Sequence, residues 1–413
     1  DYNDISFSQA RGMAGNMAIY LDYAASTPVH AVAQQAFVDA LAQPGNPNSV
    51  HRHGQQARNV VETAREQLAS TLNCDPIELI FTSGGTESVN LGIVGLYRAA
   101  VEKDAHRNRI VVPEGEHHAT LDTVQWLQNH EGAVIEWVAV DADARVSAEA
   151  IEEVLERAGS QVALISMLWA NNEVGTVQPV AEVAALAAAH HVPLHIDAVG
   201  AYGHVSVDIA ALRAGAPADS GLVALSISGH KIGSVPGVGA LYVARSSQVL
   251  PLIHGGGQER GLRSGTLDAP AIAAFGAAAA EVAASQESEG ARLSALRDDL
   301  AARILSAVPE AVLRGNPSDR LDNNVNVTFP GCQSDSLLFL LDEQGVSVST
   351  GSACQAGVAQ PSHVLLAMGL DEAGASSALR MTLGWATTPA DIDRLIEVLP
   401  GAYAKALAAG RTA

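Results

Sequence analysis

The alternation of helical stretches with short apolar stretches between about residues 55 and 270 constrains the fold more than any other sequence feature. Buried strands separated by helices form a mostly parallel sheet that is covered on both faces. The sequence therefore predicts an α/β fold with a mostly parallel seven-stranded sheet. Helices are expected at 58–72, 86–103, 120–130, 147–157 and 180–190, and strands at 79–82, 110–112, 134–138, 162–167, 192–196, 222–226 and 240–243.

The pattern changes after about residue 285, where a charged amphipathic helix at 289–307 leads to a mixture of apolar stretches and helices. A chain of 413 residues is long enough for one large and one smaller domain. We predict a large domain over 31–284 and a smaller α+β domain formed by 17–30 and 285–413. Residues 1–16 lack the basic and apolar regions of a signal peptide, so we expect a disordered leader or a cloning remnant.

Charge and cysteine content limit the possible partners. The chain has 24 basic and 45 acidic residues, a net charge of −21, which argues against direct binding to nucleic acid or anionic membranes. Three cysteines without CxxC spacing predict neither a disulfide framework nor a metal site, and favour the reducing cytoplasm. The longest apolar stretch, at 269–280, is too short to span a membrane.

Two ionisable residues follow predicted strands, at the edge where such sheets form their ligand sites. Lys231 follows the strand at 222–226 in a glycine-rich turn, where an amine loses proton affinity and can act as a nucleophile or base. Asp197 ends the strand at 192–196, where a protonated pyridine nitrogen would be a suitable partner. A surface lysine and a capping aspartate are the alternatives.

The segment from Thr82 to Ser88 has the composition of a phosphate-binding helix start. Gly84 and Gly85 would leave backbone N–H groups open, and Thr86 adds a hydroxyl where the helix dipole favours an anion. Its spacing differs from that of a nucleotide-binding P-loop. A capping box at the helix start explains the same residues and is compatible with anion binding.

Three further residues are candidates with open alternatives. His117 could stack on a flat ring, act as an acid or base, or bind a metal, although no ligand partner lies at a suitable spacing. Arg380 could bind a carboxylate through two hydrogen bonds or form an ordinary ion pair. Cys354 lies among small residues, in what we expect to be a mobile surface loop, and is either a nucleophile or a small buried hydrophobe.

Taken together, these residues supply a lysine amine, a strand-end carboxylate, a phosphate-binding turn, a ring-stacking imidazole and a carboxylate-binding guanidinium. Pyridoxal phosphate and an amino acid substrate need this set of groups. The sequence therefore predicts a pyridoxal-phosphate site.

The chain resembles the cysteine desulfurases of the class V, fold-type I pyridoxal-phosphate aminotransferase superfamily. The likeness extends from about Tyr20 to the C-terminal helix. It rests on the segments Leu21–Pro28, Gly45–His51, Thr82–Ser88, Glu116–His118, Asn171–Gly175, Ser228–Lys231, Arg263–Thr266 and Gly351–Cys354.

The resemblance implies a role for each matching residue. Lys231 would bind the cofactor covalently, Asp197 would pair with its ring nitrogen, and His117 would stack on its ring. The phosphate would be held by Gly85, Thr86, Ser228 and His230, with Thr266 from the partner subunit of a homodimer. Asn172 would lie beside cofactor and substrate, Arg380 would bind the substrate carboxylate, and Cys354 would accept sulfur from L-cysteine.

The resemblance also implies conversion of L-cysteine to L-alanine, with delivery of the Cys354 persulfide to an iron–sulfur scaffold or another acceptor. We identify no certain base for Cys354, for which His117 is the candidate. The family usually has Gln where this chain has Gly200, and an aromatic-Gly-Pro after Lys231 where this chain has 233–236. The alternatives are a selenocysteine lyase, another class V aminotransferase, or a cofactor-binding scaffold partner.

Overall fold

The computed structural model describes residues 18–351 and 360–410. The expectations of a disordered leader before residue 17 and of a mobile loop around Cys354 therefore lie outside the described residues. Among the described helices, none combines the length and apolar character needed to cross a membrane.

The strands of the described chain fall into three sheets. They are β1 (Ile19–Tyr20), β2 (Leu79–Thr82), β3 (Arg109–Pro113), β4 (Val134–Val138), β5 (Val162–Leu168), β6 (Pro193–Asp197), β7 (Gly221–Ser228), β8 (Gly239–Val243), β9 (Val312–Arg314), β10 (Asn324–Thr328), β11 (Val346–Ser347), β12 (Ser349–Thr350) and β13 (Ala378–Thr382).

The helices surround these sheets. They are α1 (Ala31–Leu41), α2 (Arg52–Leu72), α3 (Gly85–Lys103), α4 (His118–Glu131), α5 (Ala148–Ala158), α6 (Val180–Ala189), α7 (Ile209–Leu212), α8 (Ala269–Ala307), α9 (Ser334–Asp342), α10 (His363–Ala367), α11 (Glu372–Ala375) and α12 (Pro389–Gly410). Short 3-10 turns occupy Pro76–Glu78, Gly159–Gln161 and Gly229–Lys231.

The central sheet has seven strands in the order β2-β8-β7-β6-β5-β3-β4. Strand β8 runs antiparallel to both of its neighbours, and the other neighbouring pairs are parallel. Every residue of β5 and β7 is buried, as expected for strands covered on both faces. The predicted α/β fold with a mostly parallel seven-stranded sheet is therefore confirmed.

The buried apolar residues form two large clusters. The first contains the central sheet with α2, α3 and the N-terminal half of α8. The second joins Leu21 to the C-terminal half of α8, strands β10 and β13, and helices α9 and α12. The predicted domain limits at 31 and 285 stay a prediction. Helix α8 runs unbroken through residue 285, so no break in secondary structure marks that limit.

Two elements differ from the expectation. The helix expected at 289–307 is the second half of α8, which has 39 residues, because Ala, Glu and Gln around residues 277–289 continue the helix. The segment around Arg380, which was not among the expected strands, is strand β13, which pairs with β10 and β12. Arg380 is thereby placed in the middle of a sheet.

Candidate active site at the carboxyl ends of the strands

A cavity of about 330 Å³ lies where β6 and β7 end. It brings together residues that are far apart in sequence and come from the loops after several strands. The predicted site residues that line it are Gly85, Thr86, His117, Asn172, Asp197, Ser228, His230, Lys231 and Arg380.

Lys231 ends the 3-10 turn that follows β7, so the strand places its side chain at the cavity. Its Nζ donates hydrogen bonds to the carbonyl oxygens of Ala24, at 2.5 Å, and Ala25, at 3.0 Å. These carbonyls belong to the segment that follows β1. The amine is therefore held at the cavity by backbone groups, in a position to act as a nucleophile or base.

Asp197 is the last residue of β6 and is only 2% exposed. Its Oδ1 accepts a hydrogen bond from the backbone N–H of Val199 at 2.9 Å. Burial raises the pKa of this carboxyl to about 6, although the Val199 hydrogen bond and the charge of Lys231 oppose the shift. A buried carboxylate of this kind is stabilised by a cation in the cavity, such as a protonated ring nitrogen.

His117 is the N-cap residue of α4, and its Nδ1 accepts a hydrogen bond from the backbone N–H of Ala119 at 3.0 Å. The proton of the neutral imidazole is therefore assigned to Nε2. Burial, reinforced by the charge of Lys231, lowers the pKa of His117 to about 4. The ring is neutral at pH 7, which suits stacking and makes it a weak base for Cys354.

The cavity has an end suited to an anion, where α3 begins. Gly84 is the N-cap of α3 and has no side chain to satisfy the first N–H groups. The buried Oγ of Ser228 has no hydrogen-bond partner among the described residues. A Cβ on Gly85 would lie 2.7 Å from Val199 Cγ2, so the close approach requires glycine. These groups fit the phosphate of pyridoxal phosphate.

Arg380 also lines the cavity; it lies in β13 and is 4% exposed. Its Nη2 donates to Asp22 Oδ1 at 2.9 Å and its Nη1 to the backbone oxygen of Asn172 at 3.1 Å. Its buried Nε has no partner within the described part of the chain. The guanidinium is thus fixed in orientation and retains donors for a substrate carboxylate.

The remaining predicted site residues are Thr266 and Cys354. Thr266 is exposed and is absent from the cavity lining of this single chain, so its role across a subunit interface stays a prediction. Cys354 lies outside the described residues. Gly200 does line the cavity, and a Cβ added there would make only ordinary contacts, 3.7 Å from Asn172 Cβ and 3.8 Å from Ala170 O.

Several contributors were missed by the reasoning from sequence. Asp22, Ala24 and Ala25 hold Arg380 and Lys231, although their segment was noted only as a motif. Glu116 and Glu173 are buried carboxyls near the site. Burial of an acidic residue depends on tertiary packing, so no local sequence signal could have revealed it.

Both the sequence and the fold are similar to those of known proteins. The profile of the aminotransferase class-V family matches residues 19–395. A protein of Mycobacterium tuberculosis (strain ATCC 25618 / H37Rv) named IscS-like cysteine desulfurase is 48% identical over 388 residues, covering 94% of this chain and 96% of that protein. Cysteine desulfurase IscS of Methanosarcina thermophila is 38% identical over 386 residues, covering 93% of this chain and 92% of that protein.

Solved structures of similar proteins have the same fold. One described as a NIFS-like protein has a TM-score of 0.84 and 31% identity, and the match covers 94% of this chain and 100% of that one. Another, described as SspA in complex with cysteine, has a TM-score of 0.74 and 33% identity, covering 88% of this chain and 98% of that one.

Proposed function

The chain belongs to the aminotransferase class-V family, and we propose that it is a pyridoxal-phosphate-dependent cysteine desulfurase. One observation carries the proposal: Lys231, Asp197 and Arg380 line one cavity. They do so in a chain that resembles named cysteine desulfurases along nearly all of its length.

The cofactor would lie between the start of α3 and the end of β6. Gly85, Thr86, Ser228 and His230 would hold its phosphate, and His117 would cover its ring. Asp197 would hold a proton on the ring nitrogen, which gives this buried carboxylate a cationic partner. When bound, pyridoxal phosphate supplies an electron sink for the negative charge that forms at the substrate Cα.

L-Cysteine would bind with its carboxylate on Arg380, whose guanidinium is already oriented by Asp22 and the Asn172 carbonyl. Lys231 would take the Cα proton at its Nζ. The neutral imidazole of His117 would donate a hydrogen bond from Nε2. These residues orient the substrate and leave its sulfur open to attack.

The thiolate Sγ of Cys354 would attack the sulfur of L-cysteine. A sulfur–sulfur bond forms as the Cβ–S bond breaks, and the carbon takes the electron pair and a proton. The products are L-alanine and a persulfide on Cys354, so atoms and electrons balance. An acceptor protein, for example an iron–sulfur scaffold, would then remove the outer sulfur. We place the reaction in the cytoplasm and in a homodimer, as expected from the sequence.

Replacement of the nucleophile tests the proposal. Cofactor-loaded Cys354→Ala should keep the visible absorbance and its change on addition of L-cysteine, but should release neither sulfide nor alanine. Cys74→Ala is the matched control and should retain activity, because burial and neighbouring carboxylates raise the pKa of the Cys74 thiol to about 12.

Two results would contradict the proposal. Desulfuration by Cys354→Ala at the wild-type rate without added thiol would place the nucleophile elsewhere. Formation of a keto acid from L-cysteine, with no sulfide, would instead indicate an aminotransferase.

A further inference from the structure

Glu173 is a buried carboxyl that has no role in the proposed reaction. It is 3% exposed and lies next to Asn172, whose carbonyl oxygen accepts a hydrogen bond from Arg380. Its backbone is fixed on both sides: its N–H donates to Asn171 Oδ1 at 2.9 Å, and its carbonyl accepts from Asn326 Nδ2 at 3.1 Å. The carboxyl therefore projects from a well-anchored position beside the proposed substrate site.

This carboxyl contacts residues on both sides of the segment that contains Cys354. Its Oε2 accepts a hydrogen bond from Ser362 Oγ at 2.5 Å. Gly351 packs so closely that a Cβ added there would collide with the same oxygen. Gly351 and Ser362 lie on either side of residues 352–359. One carboxylate oxygen of Glu173 therefore contacts the chain both before and after the segment that contains Cys354.

Both flanking residues are also joined to elements of the site. Gly351 follows β12, in which Ser349 is paired with Arg380 of β13. Ser362 caps α10 by accepting a hydrogen bond from the N–H of Leu365 at 3.2 Å. In the same helix, Nε2 of His363 lies 2.8 Å from the carbonyl oxygen of Glu116. Glu173 thus contacts both residues that flank 352–359, and one of them follows the strand that pairs with Arg380.

The charges that face Glu173 are compatible with an ionised carboxyl acting as an acceptor. Burial raises its pKa to about 7, while the Ser362 hydrogen bond and the charges of Arg380 and His118 oppose that shift. Within the described part of the chain Glu173 forms no direct ion pair, and its carboxyl accepts a hydrogen bond from Ser362. The described contacts of its side chain are therefore with Ser362 and Gly351, the residues on either side of 352–359.

We propose that Glu173 is a positioning residue for Cys354, because its carboxyl fixes Gly351 and Ser362 relative to Asn172 and Arg380. The inference rests on the proposed function, since it assumes that Cys354 must meet a substrate held by Arg380. Misplacement of a reacting group by about 1 Å can lower a rate by about 100-fold. Loss of the carboxyl should therefore slow sulfur transfer without weakening substrate binding.

The test measures persulfide formation on Cys354 in cofactor-loaded protein during a single turnover, by mass spectrometry of the peptide. Substrate binding is measured separately, by the absorbance change on addition of L-alanine. Glu173→Ala should lower the transfer rate by about 10- to 100-fold and leave L-alanine binding and the KM for L-cysteine unchanged. Glu173→Gln keeps an acceptor for Ser362 and should stay within about threefold of wild type.

Two further comparisons separate positioning from a general loss of stability. Ser362→Ala removes a helix cap and the bond to Glu173, whereas the control Ser147→Ala removes only the cap of α5. Of these two serine variants, only Ser362→Ala should slow sulfur transfer. Gly351→Ala should also slow transfer, but it should cause no further loss in the Glu173→Ala background, where the colliding oxygen is gone.

The outcomes distinguish the two proposals. If wild-type protein forms no persulfide, the proposed function fails. If wild type forms it and Glu173→Ala transfers sulfur at the same rate, or loses only L-alanine binding, the positioning role alone is wrong. Equal effects of Ser362→Ala and Ser147→Ala would also overturn it.

Discussion

Burial moves the pKa values of the groups around the cavity in opposite directions. It lowers the pKa of His117 and His230 to about 4 and raises that of Asp197 to about 6. At pH 7 both imidazoles are neutral, and Asp197 is mostly ionised. The residues near Lys231 are therefore hydrogen-bonding groups and one anion, an arrangement that favours a cationic ring in the cavity.

Without cofactor, the ionised Asp197 should destabilise the fold. Its pKa is raised from 3.8 to about 6, so the cost of ionisation is fully present above about pH 6 and disappears as the pH falls below about 4. Asp197→Asn keeps the acceptor for Val199 and should raise the free energy of unfolding of the cofactor-free protein by at most about 3 kcal/mol at pH 8.

Urea unfolding at pH 8 and pH 4 measures this effect. The stabilisation by Asp197→Asn should be lost at pH 4. Equal stabilisation at both pH values would show that the aspartate acts through something other than its charge.

Replacement of Lys231 by Ala should abolish the visible absorbance band of lysine-bound cofactor. After borohydride reduction, the cofactor mass should be found on the peptide with Lys231 in wild type and be missing from the variant. Lys103→Ala is the control, because Lys103 is largely exposed and only 3.8 Å from Asp219 in a surface ion pair. An unchanged spectrum in Lys231→Ala would refute the assignment of the lysine.

Gly200→Gln should change the absorbance spectrum of the bound cofactor. The glycine lines the cavity, and there is room for a side chain beside Asn172. A glutamine amide there would add a hydrogen-bonding group next to the ring. A spectrum identical to that of wild type would show that position 200 does not face the cofactor.

At the scale of elements, the central sheet could be predicted because its strands have a local signature. The run Val162–Leu168 is short, mostly apolar and fully buried. Asp197 ends a strand of this kind, and Lys231 ends the short turn that follows another. Helix α1 was not predicted, because Ala31–Leu41 mixes apolar and polar residues without a clear apolar face. In the structure only two residues of this helix, Ala33 and Ala40, are buried. The strand nature of Ala378–Thr382 depends on its pairing with β10 and β12, which lie elsewhere in the sequence.

A buried ion pair should be an important link between elements. Arg65 of α2 donates to both carboxylate oxygens of Glu259, at 2.8 and 2.9 Å, and Glu259 also accepts from the N–H of Phe81 in β2. Glu259→Ala should lower the free energy of unfolding by about 3–5 kcal/mol, because it leaves the buried guanidinium with only the half-exposed Glu62 as a charged partner.

Urea denaturation provides the measurement. Glu397→Ala, which removes an exposed pair with Arg394, is the control and should cost less than about 1 kcal/mol. Similar losses in the two variants would mean that the buried pair is no more important than a surface one.

At the scale of the whole molecule, the role proposed for Thr266 requires two subunits. Thr266→Asp would place a negative charge against the phosphate of the partner's site and should inactivate the enzyme. Lys231→Ala inactivates each subunit's own site. A heterodimer of the two variants would contain one site with both changes and one with neither, so it should recover about half of the wild-type activity.

Differently tagged subunits allow purification of this heterodimer. Recovery of activity would place Thr266 at the partner's site. A heterodimer as inactive as either variant would show that Thr266 does not act across an interface.

The unbroken helix α8 also has a consequence for how the protein is made. Helices α1 and α2 pack against α8, yet about 200 residues separate the end of α2 from the start of α8. At about 5–20 residues per second, a ribosome needs about 10–40 seconds to synthesise that interval. During this time the apolar faces of α1 and α2 lack their partner, so the nascent chain is expected to depend on chaperones until α8 emerges.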